Sequence, residues 1–448
     1  MNKDILNNIS NPSVFEENRL PAHSDHRVYA NKSELLRGSS SLCCSLNGVW
    51  KFDYSINLSS TPDGFEALDY DCKNWEDIRV PAHIQMEGYD RPHYANVAYP
   101  WDGRQSLKSG EAPTDFNPVG SYVKYFTLPK GFIKDSLILR FEGVESAAAI
   151  WLNGHYIGYC EDSFTPSEFD LTKYVVEGEN KLAIQVTKWC AGSWLEDQDF
   201  FRFSGIFRDI YLYTKPKCHL EDIEIKQVFE KRSFDNVKLN LSIDLSNNAN
   251  VALKLFDAMD LTLKSNEFKV FDEMPVVYKT VTNLHSGKNK LSFDVAAPKL
   301  WSAEIPNLYT LYIEIFDGET LLEVSTVKIG IRLFEKNADN VMTLNGKRIV
   351  FAGVDRHDFS SKFGRAITFD EIKKDIVTMK ENNINAIRTS HYPNSSALYE
   401  LCDIYGIYLI DECNLETHGS WDGLLSGVSD YDFVLPGDKK EWLPLLLD

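Results

Sequence analysis

Apolar and polar residues alternate in short runs along the first half of the chain, and glycine and proline turns separate the runs. The runs lie at 46–52, 121–126, 137–141, 150–152 and 181–186. Asn153 and Gly154 follow the fourth run and form the strongest two-residue signal for a β-hairpin. Evenly spaced short strands are typical of an antiparallel sandwich or jelly roll. We predict such a domain up to about residue 216, preceded by a polar, extended arm over residues 1–46.

A second all-β block is predicted at residues 217–333. In one stretch of it, apolar residues alternate strictly with polar ones, which is the pattern of a half-buried strand. The apolar positions are Val237, Leu239, Leu241, Ile243 and Leu245. The block has the length of an immunoglobulin-like sandwich, and its single cysteine, Cys218, cannot form the inter-sheet disulfide of antibody domains. We see no candidate chemistry in this block and interpret it as a spacer.

After about residue 335, buried-type strands alternate with amphipathic helices. Strands are predicted at 348–354, 384–388 and 407–411. Thr368 and Glu371 form a capping box at the start of one helix, and Gly406 ends a second helix that begins near Ser395. This order predicts parallel strands with right-handed crossovers. Both a (β/α)₈ barrel and an open doubly wound sheet begin in this way, and a barrel, which needs about 250 residues, would be incomplete here.

Charge and composition exclude several classes of protein. The chain has 47 Lys and Arg against 66 Asp and Glu, a net charge of −19, whereas binders of nucleic acid or anionic membranes need a basic surface. Neither a transmembrane run of 18 apolar residues nor a secretory signal is visible, so we expect a cytoplasmic protein. The eight cysteines form no C-x-x-C pair, and we expect them to be reduced and mostly buried.

Candidate chemistry gathers where the three parallel strands end. His, Arg and carboxylate residues are concentrated at 355–358, 388–393 and 411–418. Reactive groups lie at the carboxyl ends of strands in parallel α/β folds, so these segments predict a functional pocket. The simpler alternative is that each histidine caps a neighbouring loop. Glu416 and His418, two residues apart, would point to one side of an extended backbone and form a weak signal for Mg²⁺.

Two stretches of the third domain resemble a known family. Residues 385–394 read NAIRTSHYPN, residues 402–412 read CDIYGIYLIDE, and residues 414–419 read NLETHG. The first two resemble a signature of glycoside hydrolase family 2, and the third resembles its β-galactosidase branch.

The first β domain carries the same resemblance. Residues 195–209 read LEDQDFFRFSGIFRD, residues 166–171 read PSEFDL, and residues 96–100 read NVAYP. The resemblance implies a multidomain β plus α/β fold: a jelly-roll β-sandwich at 47–216, an immunoglobulin-like β-sandwich at 217–333, and the first part of a (β/α)₈ TIM barrel at 334–448.

The resemblance further implies hydrolysis of terminal β-D-galactosides, such as lactose, with retention. Asn96 and Asp199 would bind the sugar, His357 and His391 would bind it and favour the transition state, and Arg388 would hold the nucleophile ionised. These roles are reasonable because a positive neighbour lowers the pKa of a carboxyl.

The resemblance also implies two cofactors. Glu416 and His418 would be ligands of Mg²⁺, and Asp199 would be a ligand of Na⁺ as well as of the sugar. We expect a β-galactoside as substrate, a homo-oligomer or a complementing chain as protein partner, and neither nucleic acid nor membrane as a partner.

The two catalytic carboxylates of the family are not assigned to any residue of this sequence. A retaining glycosidase needs two carboxyl groups about 5–5.5 Å apart, and the family supplies them from later barrel strands, which would lie downstream of Asp448. We therefore expect the chain to be inactive alone. A shortened pair chosen from Asp411, Glu412 and Glu416 is disfavoured, because separate strands normally supply such a pair.

Several alternatives stay open at this stage. The chain could be a non-catalytic carbohydrate-binding module, or part of a family-2 β-glucuronidase or β-mannosidase. Without the resemblance, Asp199 and Arg202 are best interpreted as a surface ion pair. Trp151 and Trp194 are best interpreted as core residues rather than sugar platforms.

Overall fold

The computed structural model describes residues 2–230, 233–260, 274–420 and 439–447. Within these ranges no helix combines the length and the apolar character needed to cross a membrane. Two β-sandwiches come first in the chain, and a β-α-β-α-β unit with parallel strands follows them.

The arm and the first sandwich contain two α-helices and sixteen strands. The elements are α1 Asn2–Ile9, β1 Glu16–Glu17, β2 Val28–Tyr29, α2 Lys32–Arg37, β3 Cys43–Ser45, β4 Gly48–Ser55, β5 Glu76–Val80, β6 His93–Ala95, β7 Val119–Thr127, β8 Ser136–Phe141, β9 Val144–Glu145, β10 Ala147–Leu152, β11 His155–Cys160, β12 Ser167–Asp170, β13 Glu179–Thr187, β14 Phe200–Arg202, β15 Gly205–Ile206 and β16 Ile210–Lys215. Short 3₁₀ helices lie at Leu58–Ser60, Ile84–Met86 and Ala191–Trp194.

The first sandwich packs a seven-stranded sheet, in the order β1-β11-β10-β13-β7-β4-β5, against a four-stranded sheet, in the order β12-β8-β16-β3. The predicted hairpin at Asn153-Gly154 is confirmed: both residues have positive φ and join β10 to β11. Trp151 and Trp194 are buried, as predicted, with 2% and 0% of their surfaces exposed.

The second sandwich is built from seven further strands. They are β17 Leu220–Phe229, β18 Asn236–Leu245, β19 Ala249–Asp260, β20 Val276–Leu284, β21 Gly287–Ala296, β22 Asn307–Asp317 and β23 Thr320–Ile329. The alternation predicted for the strand at 237–245 is confirmed, since its apolar residues are all buried while those between them are half-exposed. These apolar side chains fill the core between a three-stranded sheet, β17-β18-β21, and a five-stranded sheet, β2-β23-β22-β19-β20.

The arm contributes to both sandwiches. Its strand β1 pairs with β11 of the first sandwich, and its strand β2 pairs with β23 of the second. Leu35 of α2 packs against Phe256, Tyr312 and Val324 of the second sandwich. The arm therefore ties the two β domains together, which its irregular sequence does not indicate.

Six strands and three α-helices of the third region lie wholly within the described residues. They are β24 Phe334–Lys336, β25 Met342–Leu344, β26 Lys347–Arg348, β27 Gly353–Arg356, α3 Phe369–Glu381, β28 Ala386–Thr389, α4 Ser396–Tyr405, β29 Tyr408–Ile410 and α5 Leu443–Leu447; a 3₁₀ turn lies at Lys440–Trp442. Strands β27, β28 and β29 pair in parallel, as predicted.

The helix signals of this region are confirmed, whereas one strand prediction is wrong. Thr368 and Glu371 form the capping box of α3, and Gly406, with left-handed backbone, ends α4. The apolar run at 348–354 is not one buried strand. The parallel strand begins only at Gly353, and Val350 is 64% exposed. The outer edge of β27 has no neighbouring strand among the described residues, and within the run only part of the apolar surface is covered, for example Ile349 by the cluster around Trp301.

Candidate functional site

Two predicted site residues flank one short antiparallel pair of the first sandwich. Strand β6 pairs with β14 so that Ala95 faces Phe200; Asn96 directly follows Ala95, and Asp199 directly precedes Phe200. The Tyr94 hydroxyl donates a hydrogen bond to the Asp199 carboxylate. Tyr94 is paired with Phe201, which lies on the same face as Asp199, so the contact is a diagonal one across the two strands.

The predicted surface pair between Asp199 and Arg202 is wrong. Side chains three apart in an extended strand point to opposite faces. Arg202 lies on the buried face, where its Nη2 donates to Asp197 Oδ1 at 2.6 Å, and both side chains are almost fully buried. Burial raises the pKa of Asp197, although the guanidinium of Arg202 opposes that effect. Asp199 is thus left on the accessible face, beside Tyr94.

The two predicted histidines of the third region meet at the carboxyl ends of neighbouring strands. His357 follows β27 and His391 follows β28, and their rings lie 5.6 Å apart between centroids at an angle of 83°. Burial lowers the pKa of His357, and the charge of His391 lowers it further. This ring is therefore neutral at neutral pH, and a neutral imidazole can both donate and accept a hydrogen bond.

Asp199 belongs to the same site as these histidines. Its carboxylate lies close enough to His357 to oppose the fall in the pKa of that ring, because a negative charge favours the imidazolium form. The end of the first sandwich and the carboxyl ends of the parallel strands thus lie close together.

Arg388 joins the site through a network of charged side chains. Its Nε donates to Glu412 Oε1 at 2.5 Å, and its Nη1 donates to Asp355 Oδ1 at 3.3 Å. The hydrogen bond that Arg388 donates to Glu412 is the largest cause that raises the pKa of Arg388. Glu412 Oε2 also lies 3.0 Å from Nδ1 of His391. Sequence reasoning considered Glu412 for a disfavoured catalytic pair, although its position directly after β29 placed it within reach of both residues.

Glu416 and His418 lie beside the first sandwich because their backbone is hydrogen-bonded to it. The amides of Glu416 and His418 donate to the carbonyls of Leu195 and Asp197 at 3.0 and 3.1 Å. The backbone between the two side chains is not extended, as the sequence argument assumed, since Thr417 has a φ of +56°. The side chains nevertheless meet, with 3.2 Å between Glu416 Oε1 and His418 Nδ1.

These two side chains fit a Mg²⁺ site only in part. A carboxylate oxygen is a suitable ligand, and Mg²⁺ commonly keeps several waters beside one or two protein carboxylates. In the part of the chain that the structure describes, no group of three or more His, Cys, Asp or Glu residues is arranged to hold a metal ion. A further ligand would have to come from outside these residues.

Asn414 connects the third region to a buried acidic cluster of the first sandwich. Its Nδ2 donates to Glu196 Oε1 at 2.6 Å and to Asp162 Oδ1 at 3.2 Å, and its Oδ1 accepts from Gln198 Nε2 at 2.7 Å. Burial raises the pKa of Glu196 to about 8. This contact fixes the segment between β29 and Glu416 against the sandwich.

Arg365 anchors the third region deep inside the first sandwich, and sequence reasoning did not single it out. Its Nη2 donates to the buried Glu145 carboxylate, and its Nη1 donates to the carbonyl of Phe201 at 2.8 Å. Four aromatic rings surround its guanidinium, those of Phe164, Phe200, Phe203 and Tyr392. An isolated arginine between helix and strand signals gives no sign of such a partner in the sequence.

A cavity of about 980 Å³ lies away from this site, between the arm, both sandwiches and the first turns of α3 and α4. None of the predicted site residues lines it. Its charged side chains pair with one another: Arg140 with Glu168 at 2.9 Å, and Lys328 with Glu400 at 2.5 Å. These two ion pairs satisfy part of the charge that lines the cavity.

The three structural regions coincide with three family matches. Residues 43–216 match the family described as "Glycosyl hydrolases family 2, sugar binding domain", and residues 218–332 match "Glycosyl hydrolases family 2". Residues 336–448 match "Glycosyl hydrolases family 2, TIM barrel domain".

Curated relatives extend the similarity over almost the whole chain. A β-galactosidase from Halalkalibacterium halodurans is 48% identical over 97% of this chain and 42% of its own length. A β-galactosidase large subunit from Latilactobacillus sakei is 42% identical over 98% of this chain and 70% of its own length. The chain thus spans less than half the length of the first of these relatives.

A solved structure supports the fold. The β-glucuronidase of Bifidobacterium dentium, solved in complex with coumarin-3-O-glucuronide, covers 91% of this chain with a TM-score of 0.69 and 21% identity, and 65% of that structure is covered. The match to the large subunit from Latilactobacillus sakei, at 42% identity over 70% of its length, decides the family. The chain belongs to the β-galactosidases of glycoside hydrolase family 2 and contains the sugar-binding domain, the immunoglobulin-like domain and the start of the TIM barrel.

Proposed function

We propose that this chain forms the sugar-recognising part of a retaining β-galactosidase that hydrolyses terminal β-D-galactosides such as lactose. The observation that carries the proposal is the convergence of Asp199, from the first sandwich, with His357 and His391 at the strand ends of the barrel. Groups contributed by two domains can surround a single sugar ring, and such pockets at the carboxyl ends of barrel strands are the usual place for catalysis.

Each side chain has a role that suits its chemistry. Asn96 and Asp199 would bind sugar hydroxyls from the side of the sandwich, while His357, neutral because of its lowered pKa, would discriminate the stereochemistry of a hydroxyl through its ring nitrogens. His391 would act beside it and favour the transition state. Arg388 would lie next to the nucleophilic carboxylate and keep it ionised.

The two catalytic carboxylates would come from outside the chain. We propose that they are supplied by a segment that follows Asp448 or by a second polypeptide. Two relatives support this proposal: the one from Halalkalibacterium halodurans is more than twice as long as the matched part, and the one from Latilactobacillus sakei is described as a large subunit. Alone, the chain would bind the sugar without hydrolysing it, and it would assemble with that partner or with copies of itself.

Glu416 and His418 would hold Mg²⁺ together with a ligand from the missing part, and Asp199 would hold Na⁺. When bound, these cations would supply positive charge close to the reacting sugar. The contact between Glu416 and His418 supports the first assignment. The Tyr94 hydroxyl bonds to Oδ1 of Asp199 and, within the described ranges, leaves Oδ2 without a hydrogen bond, which agrees with the second.

Hydrolysis of a chromogenic β-galactoside tests the proposed function. We expect no turnover by the purified chain and turnover once the remaining part of the Halalkalibacterium halodurans relative is added in trans or fused after Asp448. In the active assembly, Asp199→Asn should lower kcat/KM at least about 10-fold, because a hydrogen bond to a charged group is lost. Asp63→Asn, at an exposed position, is the matched control.

Three results would overturn the proposal. They are robust turnover by the chain alone, a fused enzyme that prefers glucuronides or mannosides over galactosides, and full activity of the Asp199→Asn enzyme. If neither assembly is active, calorimetry of the chain with galactose still decides whether the site binds sugar. Binding that survives removal of residues 334–448 would instead favour a carbohydrate-binding module.

A further inference from the structure

Glu412 is tied at three points to the end of the neighbouring strand β28. Its amide donates to Thr389 Oγ1 at 2.9 Å, its Oε1 accepts from Arg388 Nε at 2.5 Å, and its Oε2 lies 3.0 Å from His391 Nδ1. The two carboxylate oxygens therefore serve two different residues of the candidate site. The amide contact limits the movement of the backbone from which the carboxylate extends.

Two groups of opposite hydrogen-bonding sense compete for the same ring nitrogen. Arg388 Nη2 lies 3.1 Å from His391 Nδ1, and Glu412 Oε2 lies 3.0 Å from the same atom. A guanidinium can only donate, whereas an ionised carboxylate can only accept. A protonated Nδ1 satisfies Glu412, and an unprotonated Nδ1 satisfies Arg388, so the tautomer of His391 depends on which group prevails.

Glu412 is the more favourable hydrogen-bond partner of His391 Nδ1. Arg388 already donates to Glu412 and to Asp355 through its other nitrogens, so its charge is compensated without the histidine. The bonds of both alternatives are charge-assisted, because the guanidinium and the carboxylate are both ionised, so the existing compensation of Arg388 favours the carboxylate as the partner of Nδ1. In many sites, the partner of one ring nitrogen determines which tautomer the other presents.

We propose that Glu412 is a positioning residue that holds His391 in the tautomer with its proton on Nδ1 and at the same time fixes Arg388. Nε2 of the neutral ring then presents a lone pair. Among the residues that the structure describes, Nε2 has no hydrogen-bond partner, so it is available to accept from a hydroxyl. The identification of this hydroxyl as part of a galactoside rests on the proposed function. The tautomer of His391 does not depend on that function.

Nitrogen-15 NMR of the chain labelled at histidine tests the tautomer directly. The resonances of His391 are assigned by their absence in His391→Gln. In the unsubstituted chain we expect the neutral ring to show a protonated Nδ1 and a bare Nε2. In Glu412→Gln, whose amide can donate as well as accept, we expect the ring to shift towards the tautomer with a protonated Nε2.

Asp355→Asn is the matched control, because Asp355 contacts Arg388 without contacting His391. We expect His391 in this variant to have the same tautomer as in the unsubstituted chain. A protonated Nε2 in the unsubstituted chain, or equal shifts in Glu412→Gln and Asp355→Asn, would refute the positioning role. Thermal unfolding of each variant shows whether it is folded; should Glu412→Gln fail to fold, the tautomer of the unsubstituted chain still decides.

Activity of the fused enzyme separates the two proposals. We expect Glu412→Gln to lower kcat at least about 10-fold, the usual scale for a group that orients a functional side chain, with a smaller change in KM. If the fused enzyme hydrolyses no galactoside while the tautomer is as expected, the proposed function fails and the positioning role stands. If Glu412→Gln changes neither kcat nor the tautomer of His391, the positioning role is refuted and the proposed function is unaffected.

Discussion

Buried carboxylates of this chain differ in charge because their neighbours differ. Burial by itself would raise the pKa of Glu168, but His23 and Arg140 overcome that effect and bring it to about 2. No cation of the described part of the chain is paired with Glu161 or Glu196, and burial raises their pKa values to about 7 and about 8. Two of the acidic groups inside the first sandwich therefore titrate close to neutral pH.

The raised pKa of Glu196 predicts a loss of stability with rising pH. Between its ordinary value of 4.5 and about 8, the folded chain binds a proton that the unfolded chain has released. The contribution of Glu196 to the free energy of unfolding is therefore complete below about pH 4.5 and is lost as the pH rises through about 8. We expect Glu196→Gln, which stays neutral, to lose less thermal stability than the unsubstituted chain between pH 5.5 and 8.5.

Thermal unfolding at several pH values measures this difference. Glu319→Gln, at an exposed turn position, removes a carboxyl of the same kind and should keep the pH dependence of the unsubstituted chain. Parallel pH profiles for Glu196→Gln and the unsubstituted chain would contradict the argument.

The residues of the candidate site were predictable from sequence only as far as local position decides them. His357, His391 and Glu412 follow predicted strands, so their meeting at one edge could be expected. The partner of Arg202 could not be predicted, because it depends on which face of β14 is buried. The contact between Glu416 and His418 was predicted from an extended backbone, whereas the structure has a positive φ at Thr417 that the sequence does not indicate.

Helices and strands were predictable where a local signal marks their ends. The capping box at Thr368 and the glycine at 406 mark α3 and α4 correctly, because caps depend on neighbouring backbone alone. The run at 348–354 was predicted wrongly as a single strand, because apolar character indicates burial without saying which element provides the cover.

Gly406 gives a prediction at the scale of elements. Its φ is +70°, and a Cβ added there would lie 2.3 Å from the carbonyl oxygen of Ala303 in the second sandwich. Gly406→Ala should therefore lower the free energy of unfolding by clearly more than the 1–2 kcal/mol or so of left-handed strain. Gly318→Ala, at φ +61° with no atom within 4 Å of the added Cβ, should show the strain alone.

Denaturant unfolding of both variants checks the comparison. Equal losses would mean that α4 can move away from Ala303 without cost, and the close approach would then not contribute to how the barrel region sits on the second sandwich.

The whole molecule depends on charged groups of one domain that are buried in another. Arg365 extends from the barrel region into the first sandwich, and without it Glu145 would stay buried next to the neutral ring of His83, at 3.8 Å. Breaking a buried pair by removing one partner typically costs about 3–5 kcal/mol. The domains are thus held together by specific polar contacts in addition to apolar packing.

Arg365→Met should lower the free energy of unfolding by about 3–5 kcal/mol and make the barrel region more sensitive to proteases. Arg348→Met, at an exposed position, should change it by no more than about 0.5 kcal/mol. Adding Glu145→Gln to Arg365→Met should recover part of the loss, because no unpaired charge stays buried. Similar unfolding curves for the two single variants would show that Arg365 does not anchor the barrel.

The arm has a consequence for how the polypeptide is made. Its carbonyl at Arg27 accepts from Ser325 Oγ, 298 residues later in the chain. During synthesis from the N-terminus, the segment around β2 therefore stays unpaired until β23 of the second sandwich has been synthesised. Contacts so distant in sequence form slowly, and an exposed strand invites wrong pairing in the meantime. Charged side chains disfavour such pairing, and several of them lie next to β2 in the arm.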